Sequence, residues 1–171
     1  LLYRFTATWC AYCPSMTTAL EKVNDYTKDH SVIMQIHGND EFAMSAMSSW
    51  ATDIYNTQGY PYCDYSLTGG STKRTVNDIQ RFVKDVLYTY PAKTGIELES
   101  SLDGTRLTVD LGLYIKEADS YRVTVLLLED GIYGYQNGGS NNYEHKDVAR
   151  LALTSMSGET VRISEDNQIW T

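Results

Sequence analysis

Basic residues, cysteine and proline are all scarce in this chain of 171 residues, and each scarcity excludes a class of protein. Only 14 Lys and Arg residues stand against 22 Asp and Glu residues, so the formal net charge is -8. Proteins that bind nucleic acid need clustered Lys and Arg, so that class is excluded. Three Cys are not needed as staples, because a chain this long buries about 70% of its surface on folding. With three Pro and 42% hydrophobic residues, the composition is that of an ordinary globular protein.

Long apolar runs are also missing. The longest run covers residues 125–128, whereas a membrane span needs about 20 apolar residues. The chain begins with Leu1-Leu2-Tyr3-Arg4-Phe5, a pattern that is typical of the middle of a strand and not of a secretion signal. We therefore expect sequence upstream of Leu1.

Residues 1 to about 90 alternate between strand and helix patterns. Strands are predicted over 1–7, 32–37 and 62–65, and a helix over 14–26. Asp40 is predicted to cap a second helix and Thr75 a third, with a turn at Gly69-Gly70 between them. The apolar stripe of the second helix consists of Ala43, Ala46, Met47, Trp50, Ala51 and Ile54. This order predicts an α/β domain over residues 1–91.

After Pro91 the hydrophobic period changes to two. Residues 106–115 alternate strictly, and Asp103-Gly104 marks a hairpin turn before them. About five strands are predicted in this half, whereas a complete immunoglobulin-type sandwich has about seven. We predict an all-β sandwich domain over residues 92–171, either a small one or an incomplete one that lacks its last strand. It is expected to dock on the first domain with no sheet running through both.

The sharpest motif is Trp9-Cys10-Ala11-Tyr12-Cys13-Pro14, a C-x-x-C between a strand and a helix. The unpaired N–H groups and the dipole of a helix start stabilise a thiolate, so we expect the pKa of Cys10 to lie below the ~8.5 of free cysteine. Cys10 is then the nucleophile, and Cys13 attacks the mixed disulfide to release the product. The alternatives are that the C-x-x-C forms a disulfide without redox activity, or that it is a non-functional motif in a binding domain.

The odd number of cysteines leaves the pairing open. Cys10–Cys13, Cys10–Cys63 and Cys13–Cys63 are all conceivable, and we expect Cys63 to be a buried free thiol beneath the first helix. A zinc site is disfavoured, because Cys63, His30, His37 and His145 lack the paired spacing of zinc modules. No metal and no cofactor is predicted.

Residues 129–150 form a long segment rich in Gly, Asn and Tyr. Loops of this length usually have a function or are disordered, so the segment is either a binding loop or a loop packed on its own domain. His145 within it is interpreted as a structural residue, because no nucleophile or carboxylate partner can be named for it.

These residues resemble two nested families. The strand into the C-x-x-C, the helix after it and Tyr60-Pro61 resemble the thioredoxin superfamily. The whole chain resembles the outer-membrane-protein-28-related lipoproteins, in which a thioredoxin-like domain precedes an immunoglobulin-like β-domain. The second half resembles them in a signature, namely Glu129-Asp130-Gly131-Ile132, Gly134-Tyr135-Gln136, Tyr143, His145, Val148 and Arg150.

The resemblance implies a protein secreted across the inner membrane, either lipid-anchored at the outer membrane or periplasmic or on the cell surface. It implies redox roles for Cys10 and Cys13 and a cis Tyr60-Pro61 bond, with Pro61 shaping a substrate groove. We predict that Trp9, Tyr12, Tyr60 and Pro61 contact the substrate.

Two functions follow from these expectations. The first is a thiol-disulfide oxidoreductase of the cell envelope that acts on protein thiols or disulfides. The second is a non-catalytic module, in which the thioredoxin-like domain is a scaffold and the β-domain docks an outer-membrane protein, for example by adding a strand to an open edge.

Overall fold

A computed structural model describes residues 1–27, 30–47, 49, 57, 59–65 and 70–170. The described residues include the helices α1 (Cys13–Tyr26) and α2 (Val76–Thr89). More of the described residues lie in strands than in helices, and the strands form several sheets. The strands are β1 (Leu2–Thr6), β2 (Ile33–His37), β3 (Tyr62–Tyr65), β4 (Gly70–Ser71), β5 (Thr94–Asp103), β6 (Arg106–Ile115), β7 (Ser120–Val123), β8 (Leu126–Glu129), β9 (Ile132–Gly134), β10 (Tyr143–His145), β11 (Val148–Ala152), β12 (Glu159–Arg162) and β13 (Gln168–Trp170).

A six-stranded sheet with the order β4-β3-β1-β2-β11-β8 forms the centre of the molecule. Strand β1 lies inside it, parallel to β2 and antiparallel to β3. All five residues of β1 are buried, because apolar side chains pack against both faces of the sheet. A strand covered on both sides is the best-fixed part of such a sheet, and the C-x-x-C motif follows directly after it.

The two helices pack on one face of this sheet. Helix α1 buries Met16, Leu20 and Val23, which recur at helical spacing, and Pro14 in its first turn loses no hydrogen bond. Helix α2 begins at the predicted cap, where the Thr75 hydroxyl accepts a hydrogen bond from the Asp78 N–H at 3.2 Å. The apolar side chains of both helices form one core with residues of β1, β2 and β3.

The sheet crosses the boundary expected between the two halves. Strand β11 pairs in parallel with β2, and β8 pairs antiparallel with β11. The expectation that no sheet joins the halves is therefore wrong, although the division into folding units after residue 91 stays a prediction. The physical reason is that β2 would otherwise expose an unpaired edge, which β11 covers. Alternation along a strand shows which face is buried and does not show the partner strand.

The remaining strands form three smaller sheets, ordered β10-β9, β12-β7 and β13-β6-β5. The predicted hairpin is confirmed: β5 and β6 pair from Asp103↔Arg106 to Thr94↔Ile115 around Gly104, whose φ is +60°. Strands β6, β7 and β12 share a small core around Leu113, Ile115 and Val161. The described part of this half has nine strands, more than the five expected, because several have only three or four residues.

Some predictions fall outside the described residues. The apolar stripe of the second predicted helix extends through Trp50, Ala51 and Ile54, and the predicted turn begins at Gly69; none of these four residues is described. No helix among the described residues has the length and the apolar character to cross a membrane.

Candidate functional site

Cys10 and Cys13 are joined by a disulfide bond at the junction of β1 and α1. Cys13 is the first residue of α1, and its N–H donates to the Cys10 carbonyl at 3.2 Å, so a single tight turn holds both residues. Cys10 is 5% exposed and Cys13 is fully buried. The more accessible of the two cysteines is therefore the residue predicted to act as the nucleophile.

Cys63 lies apart from this pair. It is free and fully buried in β3, among the apolar side chains that α1 and α2 place on the sheet. Burial, followed by the nearby Asp64 carboxylate, raises the pKa of Cys63 to about 12, so it stays a thiol at neutral pH. The prediction of a buried free thiol beneath the first helix is confirmed.

Three of the residues predicted to contact substrate surround the disulfide. Trp9 and Tyr12 flank it on the surface, with 50% and 65% of their area exposed. The Trp9 ring lies 5.5 Å from the Tyr60 ring, and Tyr60 packs against the two cysteines. The Arg74 guanidinium lies 4.5 Å from the centre of the Tyr12 ring. Pro61 is buried and follows Tyr60 through a cis peptide bond.

A segment of the second half lies on the backbone of the motif. The Gln136 side chain is 2% exposed, and its Nε2 donates toward the carbonyls of Ala7, Thr8 and Cys10 at 3.2, 3.3 and 3.0 Å. Four carbonyl oxygens, including that of Asn137, face this one amide nitrogen. Gln136 is therefore a donor that holds the turn before the disulfide.

The next two residues extend this contact. The Asn137 N–H donates to the Thr8 carbonyl at 2.8 Å, and its Nδ2 donates to the Trp9 carbonyl at 3.1 Å. Gly138 has a φ of +75°, and a Cβ added there would lie 2.0 Å from the Ala11 carbonyl oxygen. No side chain fits at Gly138 while the segment keeps this position.

Part of the long loop expected between residues 129 and 150 is therefore a motif-covering segment, residues 136–138. Sequence reasoning missed this role, although Gln136 stands in the signature that carried the family resemblance. Hydrogen bonds across more than 120 residues leave no periodic pattern in a sequence, so only that signature could have indicated them.

A layer of buried polar side chains lies beneath the motif. Arg4, Gln35, His37 and His145 are each at most 3% exposed. Arg4 Nη1 donates to Gln35 Oε1, and Nη2 donates to the Cys13 carbonyl at 3.1 Å. Asp40 Oδ2 lies 2.7 Å from His37 Nδ1. Sequence analysis placed none of these residues near the motif: His37 and His145 were considered only as disfavoured zinc ligands, and His145 as a structural residue.

His145 is a buried, neutral residue of this layer. Its ring centre lies 5.3 Å from that of His37, 4.8 Å from that of Phe42 and 5.1 Å from that of Tyr143. Burial is the main cause that lowers the pKa of His145 to about 4, and the charges of His37 and Arg4 add to it. The packing supports its interpretation as a structural residue. Among the described residues, no three His, Cys, Asp or Glu side chains are grouped as metal ligands.

Comparison with known proteins adds a family and a fold. A family model described as Outer membrane protein Omp28 matches residues 51–170. The structure is similar to that of HBP35 of Porphyromonas gingivalis, with a TM-score of 0.80 and 18% sequence identity. The similarity covers 97% of this chain and 60% of that one, so the chain spans well under two thirds of HBP35. No curated protein matches the sequence.

Proposed function

This chain belongs to the Omp28 family of outer membrane proteins, and from that premise we propose that it is a thiol-disulfide oxidoreductase of the cell envelope. Residues 1–91 are proposed to be thioredoxin-like and the second half immunoglobulin-like. The observation that carries the proposal is the Cys10–Cys13 disulfide at the start of α1, with the exposed rings of Trp9 and Tyr12 beside it.

The sheet and the surroundings of the pair support this proposal. The resemblance rests on a strand, the C-x-x-C, a helix, a second strand and Tyr60-Pro61, and the structure has β1, α1 and β2 in this order, with β1 and β2 paired in parallel. Cys13 at the first helical position places its sulfur at the positive end of the α1 dipole, where a thiolate is stabilised. Trp9, Tyr12, Tyr60 and Pro61 are proposed to contact the polypeptide on either side of the reacting cysteine.

A substrate with two thiols is oxidised by the Cys10–Cys13 disulfide in two steps. One substrate thiolate attacks Cys10 Sγ, the Cys10–Cys13 bond breaks, and Cys13 leaves as a thiolate. The second substrate thiolate then attacks the substrate sulfur of the mixed disulfide. The bond between that sulfur and Cys10 Sγ breaks, and Cys10 leaves as a thiolate. The substrate loses two electrons and becomes a disulfide, and the Cys10–Cys13 pair gains them. The reverse sequence reduces a substrate disulfide.

Insulin reduction in the presence of dithiothreitol tests the proposal. The wild-type chain is expected to accelerate precipitation of the insulin B chain, and Cys10→Ser is expected to lower the rate at least a hundredfold, to background. Cys63→Ser is the matched control and is expected to stay within twofold of wild type. A Cys10→Ser chain that works as well as wild type would refute the role of this pair.

A second candidate function rests on β5, which lies at the edge of the sheet β13-β6-β5. This ten-residue strand exposes Ile96, Leu98 and Leu102, at 70%, 55% and 71%. Two of these line an apolar cleft of about 780 Å³ together with Leu111, Leu113 and Val123. An open apolar edge is a site where a partner strand can add, and we propose an outer-membrane protein as that partner, with a lipid anchor upstream of this chain.

Co-sedimentation with outer-membrane vesicles of the native cell tests this docking. The chain with both Cys10→Ser and Cys13→Ser is expected to sediment as wild type does, whereas Ile96→Lys with Leu98→Lys is expected to lose most of the binding. Glu97→Lys is the matched control, because alternation places its side chain on the opposite face of β5. Equal binding by the Ile96/Leu98 variant would remove this candidate.

A further inference from the structure

A buried cation contacts the backbone of the C-x-x-C motif. Arg4 is in β1 and is 1% exposed. Its Nη2 donates to the carbonyl of Cys13 at 3.1 Å, and its Nη1 donates to Gln35 Oε1. Both of these acceptors are neutral, and the buried Nε has no hydrogen-bond partner.

No carboxylate of a described residue forms an ion pair with this guanidinium. None of the ion pairs between described residues includes Arg4. Glu21 acts on it only at a distance, since its side chain is 44% exposed and lies 3.5 Å from Lys146 Nζ. The other titratable groups that act on Arg4 are Tyr143, which is not a carboxylate, and Cys63, a thiol whose pKa burial raises to about 12. Asp40 is bound to His37.

Proteins rarely bury a charge without a partner, because moving an ion out of water costs several kcal/mol or more. Burial lowers the pKa of Arg4 only to about 10, so the side chain remains cationic at neutral pH. In the disulfide form the pair next to it carries no charge. Cys63 lies opposite Arg4 on β3, but its pKa of about 12 keeps it a neutral thiol. The cysteines of the motif that Arg4 contacts can acquire a negative charge at neutral pH when the Cys10–Cys13 bond is broken.

We infer that Arg4 is the counter-charge for the thiolate that forms when the Cys10–Cys13 disulfide is reduced, and that it thereby makes this disulfide a stronger oxidant. The inference rests on the proposed exchange chemistry and gives it a direction, toward the oxidation of protein thiols. In the reduction by glutathione, two glutathione thiols supply two electrons, the Cys10–Cys13 bond breaks, and one glutathione disulfide forms. Because the positive charge of Arg4 stabilises the reduced form, it raises the reduction potential of the Cys10–Cys13 couple.

Gln35 allows the charge of Arg4 to be tested apart from its packing. Gln35→Glu is nearly isosteric and places a carboxylate oxygen where Arg4 Nη1 already donates. That carboxylate would neutralise the guanidinium while the Nη2 contact with the Cys13 carbonyl stays. If Arg4 only positions the carbonyl, Gln35→Glu leaves the redox equilibrium unchanged. If its charge matters, the disulfide becomes harder to reduce.

The experiment equilibrates the full chain in glutathione redox buffers and measures the fraction of dithiol by alkylation and mass spectrometry. Arg4→Met is expected to lower the equilibrium constant for reduction about tenfold, equivalent to about 30 mV for a two-electron couple. Gln35→Glu is expected to lower it in the same direction, and Arg4→Lys to stay within about threefold of wild type. Arg81→Met removes a charge from the exposed surface of α2 and is expected to have no effect.

Titration of the thiolate absorbance of each reduced variant gives a second readout. The thiolate of Arg4→Met and of Gln35→Glu is expected to form at higher pH than that of wild type, and that of Arg81→Met at the same pH. Equilibrium constants for Arg4→Met and Gln35→Glu within twofold of wild type would overturn the inference. If Arg4→Met does not fold, Gln35→Glu alone decides. Because glutathione is the only partner, failure to act on protein thiols leaves this measurement intact.

Discussion

One face of the six-stranded sheet changes character along its length. Where β1 and β2 begin, Leu2 and Ile33 pack with Cys63 and the apolar sides of the helices. Two and four residues further along the same strands, that face carries Arg4, Gln35 and His37, all buried. The helices cover an apolar core at one end and the disulfide with a polar layer at the other.

The two ends hold cysteines that are equally buried but differ in the charges and dipoles around them. Cys63 and Cys13 are both 0% exposed. Desolvation raises the pKa of Cys63 to about 12, although its cross-strand neighbour Arg4 acts to lower it. Cys13 lies at the start of α1, and its carbonyl accepts a hydrogen bond from the Arg4 guanidinium. Burial alone therefore does not decide whether a thiol can react. The charges and dipoles placed around it decide this.

Alkylation gives the largest expected difference between the two ends. After mild reduction at pH 7, iodoacetamide is expected to modify Cys10 at least a hundredfold faster than Cys63, because the thiolate is the reacting species. Tryptic peptides quantified by mass spectrometry over a pH series give both rates. Unfolding in guanidinium is the control and should make Cys63 reactive. Similar rates in the native protein would break the comparison.

The polar end is expected to respond to acid. An unfolded histidine titrates near pH 6.5, whereas burial lowers the pKa of native His145 to about 4. Between these values the unfolded chain binds a proton that the native chain does not, so stability falls as the pH falls. This loss reaches up to about 3 kcal/mol near pH 4.

Urea unfolding of wild type and His145→Gln at pH 7 and pH 4.5 measures this contribution. The drop in free energy of unfolding on acidification is expected to be smaller in His145→Gln. His30→Gln is the control, since His30 is exposed, and should drop as wild type does. An equal drop in all three chains would show that His145 does not cause the acid sensitivity.

The motif-covering segment, residues 136–138, is expected to depend on Gly138. Gly138→Ala places a Cβ against the Ala11 carbonyl and should lower the free energy of unfolding by about 2 to 3 kcal/mol. It should also raise the alkylation rate of Cys10. Gly131→Ala is a matched control, because its φ of +70° is similar and nothing lies within 4 Å of the added Cβ. Equal effects of the two changes would mean that the contact with Ala11 is unimportant.

The smallest effect is expected at the apolar end. Cys63→Ala removes one buried sulfur and should lower the free energy of unfolding by about 1 to 2 kcal/mol. The redox equilibrium of Cys10–Cys13 with glutathione should stay within twofold. Thermal unfolding and the glutathione assay check both statements. A large change in the redox equilibrium would mean that Cys63 takes part in the exchange.

Local features of this contrast were predictable from the sequence. Three features depend only on residues close together in the sequence, and the structure has each of them. They are the C-x-x-C between a strand and a helix, the cap at Thr75 and the hairpin at Gly104. The burial of Cys63 followed from its strand and its residue type. Each of these depends on interactions within a few residues or on the preference of one side chain.

The long-range part was not predictable. The pairing of β11 with β2 and the hydrogen bonds of Gln136 join residues more than 100 positions apart. Arg4 was visible in the first strand, but its lack of a carboxylate partner depends on which side chains fold around it. Alternation and composition carry no information about such partners, and these contacts distinguish the polar end from the apolar one.

Trapping of a mixed disulfide tests the central claim, that Cys10 exchanges with protein thiols, most directly. The Cys13→Ser chain keeps the attacking thiol and lacks the residue that resolves the intermediate. After activation of its free thiols as mixed disulfides and incubation with a cysteine-containing peptide, we expect a stable adduct of one peptide per chain, mapped by mass spectrometry to Cys10. An adduct on Cys63, or no adduct on the native chain, would contradict the account.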